Sequence, residues 1–397
     1  MITLEQYIRD SVVTRETIDI FLDPTAPSWA QFDAELGYTL GNSMPRDGID
    51  GSCTISTVQK NGARAAQLYA DKPCRINTYG NSFTLCHQVN NEETWQEYLA
   101  GHLGEPVRNF GMGGYGFYQA YRRMIRTEKT EDGANYVILY IWGHDHYRSL
   151  LRSRRVQTYR HWGSKDKRMF AGNFWSHLEM DLDSGQLVEK ESLLPTPESL
   201  YKMTDADFMV EAVKDDLMLQ MMAFCNGDIG DPDWERLRVL SEILESPLNL
   251  DDAEKWQRSV ASLRDAYAFT ATKYTLQKAC DYTRENGKHL MIALFCPRVT
   301  RELIETGRRY DQEIVDFLEQ NGIRYFDMNR VHVEDYKDFS LSLDEYLKRY
   351  LFGHYKPSGN HLFAYAVKNS VVEWLDPKPI TYQNEDAAVI SFEGYLG

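Results

Sequence analysis

The chain has 397 residues and a formal net charge of -15, with 44 Lys and Arg against 59 Asp and Glu. This length allows one large α/β domain with insertions or two domains, and a hydrophobic content of 43% is enough for a full core. The negative charge argues against nucleic acid and anionic membrane surfaces as main partners, because their phosphates would be repelled. We therefore expect a small or neutral ligand.

The start of the chain and its cysteines bear on the cellular compartment. A secretory signal would require a basic segment followed by an apolar run, which the first residues lack. No stretch of the sequence predicts a membrane-spanning helix. The 6 cysteines have neither the close pairs of a zinc site nor the density of a disulfide scaffold. These features favour a cytoplasmic protein.

Residues 1–73 predict an accessory segment. A helix and a connector are expected up to about residue 27, and short strands with turns follow from Phe32 to Arg64. The apolar content of this region is too low for an independent domain. We therefore expect it to pack on the main domain.

The stretch from Arg75 to Thr84 predicts a short strand that runs into Gly80-Asn81-Ser82, with a turn and an amphipathic helix behind it. Such a serine presents its hydroxyl and a backbone N–H beside a helix N-terminus, where developing negative charge is favoured. An activated nucleophile needs this geometry. The alternative is a turn serine that caps the next helix.

A cluster of glycines follows the next predicted strand, which begins at Val107. Glycine lets backbone N–H groups approach a ligand without a Cβ in the way, and it also suits a tight turn from strand to helix. The two interpretations of the glycines are compatible. After them, a helix is predicted from Gln119 to Arg126. The glycines are Gly111, Gly113, Gly114 and Gly116.

The run Tyr136–Trp142 is continuously apolar and has the length of a strand, as expected for a parallel strand buried on both faces. It ends in Gly143-His144-Asp145-His146. In an extended chain His144 and His146 fall on the same side, so a metal pair is one hypothesis, although no further ligand cluster accompanies them. Packing and hydrogen bonding are the alternative that suits His146 best.

The order, spacing and chemistry of these blocks resemble the SGNH (GDSL) hydrolase family of serine esterases and lipases, which have a flavodoxin-like sheet. The resemblance implies that Ser82 is the nucleophile and that the N–H groups of Ser82 and Gly114 bind the oxyanion. The family's third block usually reads Gly-Asn-Asp, and here His144 replaces the Asn. The resemblance therefore implies that an imidazole N–H of His144 supplies the last oxyanion hydrogen bond. The resemblance to this family is carried by the blocks Gly80-Asn81-Ser82-Phe83-Thr84, Asn109-Phe110-Gly111 and Gly113-Gly114-Tyr115-Gly116.

Residues 149–287 do not resemble the core of this family. They predict a hairpin over 178–188 with Asp183-Ser184-Gly185 as its turn, followed by helical segments over 206–223, 234–245 and 253–284. We interpret the region as a helical cap. Its arginines fit either an acidic substrate or a solvated basic face, and its aromatic residues fit either a ligand pocket or the cap's own core. These residues are Arg152, Arg154, Arg155 and Arg160, and His161, Trp162, Phe170, Phe174 and Trp175.

The core resumes after the insertion. A strand is predicted at His289–Phe295, a helix over 300–321 and a further strand over 323–328. The alternation of strands and helices predicts a parallel sheet with helices on both faces, a flavodoxin-like three-layer α/β/α fold. Its two parts are residues 74–148 and 288–397.

The resemblance also supplies a general base. In the family's last block a His is followed by a Pro three residues later, then by a Gly and by an Ala in the next helix. This chain matches that pattern with His354, Pro357, Gly359 and Ala364. His361 is the alternative base. The family normally carries an Asp two or three residues before this His, where the chain has Leu351 and Phe352. A backbone carbonyl, or a carboxylate such as Asp344 or Glu345, would have to orient His354 instead.

These residues imply a serine hydrolase that removes an O-acyl group, such as O-acetyl, from a small molecule or a carbohydrate through an acyl-enzyme, with no cofactor and no metal. Three alternatives remain open. The same fold can carry acyl transfer, it can carry lyase chemistry, or the protein can be a binding protein without catalysis, as the replaced Asn and the absent Asp indicate.

Overall fold

The protein is described here by a computed structural model, which covers residues 1–26, 28–156, 170–249 and 253–383. Its strands form one five-stranded parallel sheet and three two-stranded antiparallel pairs. In chain order they are β1 (Ala30–Asp33), β2 (Gly37–Leu40), β3 (Ile76–Tyr79), β4 (Val107–Asn109), β5 (Tyr136–Ile141), β6 (His177–Asp181), β7 (Gln186–Lys190), β8 (His289–Leu294), β9 (Tyr325–Asp327), β10 (Leu351–Phe352) and β11 (His354–Tyr355).

The helices in these ranges are α1 (Leu4–Arg9), α2 (Arg15–Leu22), α3 (Ser82–Leu85), α4 (Trp95–Leu103), α5 (Phe117–Thr127), α6 (Asp145–Arg148), α7 (Ala206–Val213), α8 (Leu217–Cys225), α9 (Trp234–Ile243), α10 (Ala253–Glu285), α11 (Pro297–Thr306), α12 (Gln312–Gln320), α13 (Met328–Tyr336), α14 (Leu343–Tyr350) and α15 (Pro357–Trp374). Short 3-10 helices lie at Asn91–Glu93, Glu198–Thr204 and Ile380–Tyr382. No helix of the described residues has the length and apolar character needed to cross a membrane.

The central sheet has the strand order β4-β3-β5-β8-β9, and every neighbouring pair is parallel. In chain order this is 2-1-3-4-5, the flavodoxin-like arrangement, in which ligands bind at the carboxyl ends of the strands where the strand order reverses. That point lies between β3 and β5, which are in register from the pair Ile76 and Tyr136 onward.

Side chains of β5 enter two separate apolar cores, because successive residues of a strand point to opposite faces. One core is shared with α5, α10 and α12, and the other with α4 and α15. The predicted three-layer α/β/α fold is thus confirmed. The alternating residues are Val137, Leu139 and Ile141 toward the first core and Tyr136, Ile138 and Tyr140 toward the second.

Two predicted helical segments are each divided in the structure. The single helix expected over 300–321 is wrong, because Gly307 ends α11 in the left-handed conformation (φ 69°) and α12 begins at Gln312. The helical segment that starts at Ala206 is interrupted before α8. There the side chain of Asp216 accepts a hydrogen bond from the N–H of Leu219 at 2.9 Å and so starts a new helix.

The predicted hairpin in the insertion is confirmed, since β6 pairs antiparallel with β7 and Gly185 occupies the turn. The long helix α10, at the end of the same region, packs against α5, α12 and β8 and so covers the sheet. The N-terminal helix α1 packs against α7. The division into domains stays a prediction. Residues Arg160, His161 and Trp162, which the sequence singled out, lie outside the described residues.

Candidate active site

Ser82 is the first residue of α3 and follows the carboxyl end of β3. The side chain of Asn81 accepts a hydrogen bond from the N–H of Phe83 at 2.7 Å, which fixes the start of this short helix. The amide group of Asn81 donates to Asp145, and Asp145 also accepts from the N–H of Trp142 at 2.8 Å. Hydrogen bonds of Asn81 and Asp145 therefore connect the segment after β3 to the segment after β5, next to Ser82.

One pocket brings together Ser82, Gly114 and His354, which lie far apart in the chain. Its volume is about 350 Å³, within the range of small-molecule sites. The other described residues of its lining are Trp29, Asp47, Phe83, His87, Gln88, Gly113, Trp142, Arg148, Arg154 and Gly353.

Gly114 has a backbone conformation that only glycine adopts easily, with φ at 86°. A Cβ atom there would lie 1.8 Å from Nη1 of Arg154, so the guanidinium packs directly on this backbone. In the described part of the chain, no hydrogen bond uses the backbone N–H of Ser82 or of Gly114. Both N–H groups are thus available to a ligand in the pocket.

His354 is held by a tight hairpin in which β10 and β11 pair around Gly353. The turn is possible because Gly353 adopts the left-handed conformation (φ 72°). The imidazole packs on the rings of Phe83 and His87, each with a centroid distance of 5.1 Å. Leu351 and Phe352, which occupy the family's positions for the orienting acid, form the opposite strand of this hairpin.

Gln88 is the side chain that orients His354. Its Oε1 lies 2.9 Å from Nδ1 of His354 and accepts from the backbone N–H of the same residue at 3.2 Å. Because an amide oxygen only accepts, Nδ1 carries the proton and Nε2 is left as the base. Neither proposed carboxylate takes this place, because Asp344 pairs with Arg301 and Glu345 caps α14. A neutral amide thus stands where the family has an acid.

Burial, followed by the positive charges of Arg148 and Arg154, lowers the pKa of His354 to about 4. The imidazole is therefore neutral at pH 7, which is the form that accepts a proton.

We expect Gln88→Glu to place a negative charge beside His354 and to stabilise its protonated form. The pKa of His354 then rises, so the acid limb of kcat/KM moves to higher pH by about 1 unit. We also expect kcat at pH 7 to increase several-fold, because the carboxylate stabilises the imidazolium of the transition state. Gln88→Ala is the control, and kcat should fall about tenfold with the loss of orientation. The pH–rate profiles of the three proteins measure this, and an unchanged acid limb in Gln88→Glu would contradict the contact.

Arg64 fixes the loop between Ser82 and Gln88. Its buried guanidinium donates to the backbone oxygens of Leu85, Cys86 and Val89 at 2.6, 2.7 and 2.6 Å. These bonds satisfy carbonyl groups of a loop in which Cys86 and Gln88 both have positive φ. We call this set of hydrogen bonds the Arg64 clamp. It holds the segment that carries both Ser82 and Gln88, the side chain that contacts His354.

The structure does not bring His144 together with Ser82 and Gly114. Its side chain is exposed, packs on Trp142 with a centroid distance of 4.5 Å, and does not line the pocket. The reason is local, because α6 begins directly after His144 and turns the chain away from the extended conformation assumed in the sequence analysis. His144 is therefore not among the residues that line the pocket, and its role as the third oxyanion donor stays a prediction.

His146 and His361 are not among the residues that line the pocket. His146 is buried, with Nδ1 2.8 Å from Oγ1 of Thr272 on α10, which agrees with a packing role. Among the described residues no group of three or more His, Cys, Asp or Glu side chains could hold a metal ion. The alternative base His361 is exposed on α15, where it packs against Tyr98.

Several residues of the pocket lining were not placed there by the sequence, Gln88 and His87 among them. Trp29 and Asp47 come from the accessory segment, whose fold could not be predicted in detail. Arg154 belongs to the arginines for which the sequence left open an acidic substrate or a solvated face, and Arg148 lies just before them; both are buried. Their place directly after the third core strand is a further sequence signal for the pocket.

No known protein-family model matches this chain, and neither does any curated protein.

Proposed function

We propose that the protein is a serine ester hydrolase of the SGNH type, which removes an O-acyl group from a small molecule or a carbohydrate. The observation that carries the proposal is that Ser82 and His354, from opposite parts of the α/β core, line one small pocket together with Gly114. The pocket lies at the carboxyl edge of a parallel sheet where the strand order reverses, the usual place for ligands in such sheets.

In this mechanism Oγ of Ser82 attacks the ester carbonyl while Nε2 of His354 takes its proton. The N–H groups of Ser82 and Gly114 donate hydrogen bonds to the tetrahedral oxyanion. When the C–O bond breaks, His354 returns the proton to the leaving alcohol and an acyl-enzyme remains. Water, deprotonated by His354, then attacks the acyl carbon, and Ser82 is released as the carboxylic acid forms.

Two features of the site favour this chemistry at neutral pH. Gln88 holds His354 in the tautomer that leaves Nε2 free, at a distance of 2.9 Å from Nδ1. The lowered pKa of His354, about 4, keeps the base unprotonated well below pH 7. An amide stabilises an imidazolium less than a carboxylate does, so we expect a slower enzyme than one with a complete triad.

A fluorophosphonate probe tests the proposal, because it reacts only with a serine that has an activated hydroxyl. We expect mass spectrometry to find the adduct on Ser82, and we expect Ser82→Ala to remain unlabelled. Ser358→Ala is the matched control, since this serine is exposed at the start of α15, and it should label like the unaltered protein. Absence of labelling, or labelling that persists in Ser82→Ala, would reject the nucleophile and favour a binding protein without catalysis.

A further inference from the structure

Two arginine side chains form part of the pocket wall beside Ser82. Arg148 is the last residue of α6, Arg154 follows it in the insertion, and both line the cavity that Ser82 and His354 share. Only 8% and 5% of their respective surfaces are exposed. Removing a guanidinium from water costs free energy unless an anion or several hydrogen-bond acceptors compensate it.

The compensation that Arg148 finds within the protein is weak. Its Nη1 lies 3.4 Å from a carboxylate oxygen of Asp145 and 3.5 Å from the backbone oxygen of Tyr115, both at the long limit for hydrogen bonds. Asn81 and the N–H of Trp142 both bind Oδ2 of Asp145, whereas Arg148 contacts Oδ1, and burial raises the pKa of Asp145 to about 7. Arg148 thus has one long ion pair, and its guanidinium also lies over the ring of Trp142, 5.3 Å from the centroid.

Arg154 stands next to the backbone that would bind the oxyanion. Its Nη1 occupies the position that a side chain on Gly114 would need. The guanidinium therefore packs against the backbone of Gly114 in the pocket wall, whichever further partners Arg154 has.

The described residues of the pocket lining include more arginines than carboxylates. Among them Arg148 and Arg154 carry a guanidinium and Asp47 a carboxylate, which accepts a hydrogen bond from Oγ1 of Thr54 at 2.5 Å. The two lining imidazoles add no charge at pH 7, because burial lowers the pKa of His87 and of His354. The chain as a whole has a net charge of -15, yet two arginines are among the described residues that line this pocket.

We infer that Arg148 and Arg154 bind an anionic group of the substrate, a carboxylate or a phosphate, and so select small acidic esters. Guanidinium groups present paired N–H donors that match the oxygens of both anions. The aromatic walls of Trp29, Phe83 and Trp142 suit the apolar part of such a molecule. This inference rests on the proposed function for its ester, and it replaces the neutral ligand that the overall charge led us to expect.

Two esters with the same leaving group test this selection. We expect kcat/KM to be at least about tenfold higher for mono-4-nitrophenyl succinate, which is anionic, than for 4-nitrophenyl butyrate, which is neutral. Arg148→Gln and Arg154→Gln should each lower this ratio about tenfold, and Arg148→Lys should lower it less because the charge remains. Arg301→Gln, which changes an arginine on the outer face of α11, is the control and should keep the ratio.

A binding measurement separates this inference from the proposed reaction. Ser82→Ala keeps both arginines, so calorimetry should detect binding of succinate or inorganic phosphate to it and weaker binding when Arg148→Gln is added. The ligand that binds more tightly distinguishes a carboxylate site from a phosphate site. Thermal denaturation of each variant verifies that it is folded.

The possible outcomes are distinct. If both esters are hydrolysed with equal efficiency and neither anion binds, the inference is overturned and the proposed function stands. If neither ester is hydrolysed but the anions bind in a way that depends on Arg148, the hydrolase is rejected and the anion site is supported.

Discussion

His354→Gln should lower kcat/KM for a short-chain aryl ester by about 10³- to 10⁴-fold, because the amide cannot take the proton of Ser82 in the transition state. The substitution keeps much of the side-chain volume, so the packing of the hairpin against Phe83 and His87 is largely retained. Initial rates with purified protein measure the effect, and near-ultraviolet circular dichroism verifies the fold.

The chain offers a matched control for this experiment. His361 lies seven residues further along, at an exposed position of α15, and its ring packs against Tyr98 away from the pocket. His361→Gln should leave kcat/KM within about twofold of the unaltered protein, as is typical of surface substitutions. The opposite result, a large loss in His361→Gln and a small one in His354→Gln, would remove His354 from the mechanism.

Arg64→Met should lower the free energy of unfolding by about 3–5 kcal/mol, since it removes a buried cation that satisfies several backbone oxygens and leaves those oxygens without a donor. The guanidinium is 3% exposed and also donates to Oδ1 of Asn91 at 3.1 Å. Activity should fall as well, because the loop that carries Gln88 loses the Arg64 clamp. Urea denaturation measures the change in stability.

Arg46→Met is the control for that experiment. Arg46 is exposed and donates to the backbone oxygen of Gly51 at 2.8 Å, so its replacement should change the free energy of unfolding by less than about 0.5 kcal/mol. Equal effects of the two substitutions would show that the hydrogen bonds of Arg64 are not the source of the stability.

The sheet was predictable because its strands carry local signals. The run from Tyr136 to Ile141 is apolar at every position, as a strand covered on both faces requires, and the structure buries all of it. The division of the helix expected over 300–321 was harder to predict from the sequence. Gly307 occurs within an otherwise helical pattern, and a single glycine there either continues or ends the helix according to the packing around it.

The candidate site was predictable only in part, for a physical reason. Ser82 and Gly114 follow strands of one sheet, so topology alone brings them to the same edge. Gln88 gave no such signal, because its contact with His354 depends on a loop conformation with positive φ that the distant Arg64 stabilises. The environment of Arg154 depends on how the insertion folds back onto Gly114, which local sequence does not encode.

The contribution of Trp29 and Asp47 to the pocket has a consequence for how selectivity is distributed along the chain. The proposed catalytic groups belong to the α/β core, while Trp29 and Asp47 of the first 73 residues form part of the cavity wall. Changes in that leading segment can therefore alter which molecules enter without disturbing the nucleophile or the base. One part of the pocket wall is thus encoded apart from the α/β core, and chimeras that exchange the leading portion would change the contacts that Trp29 and Asp47 offer a ligand.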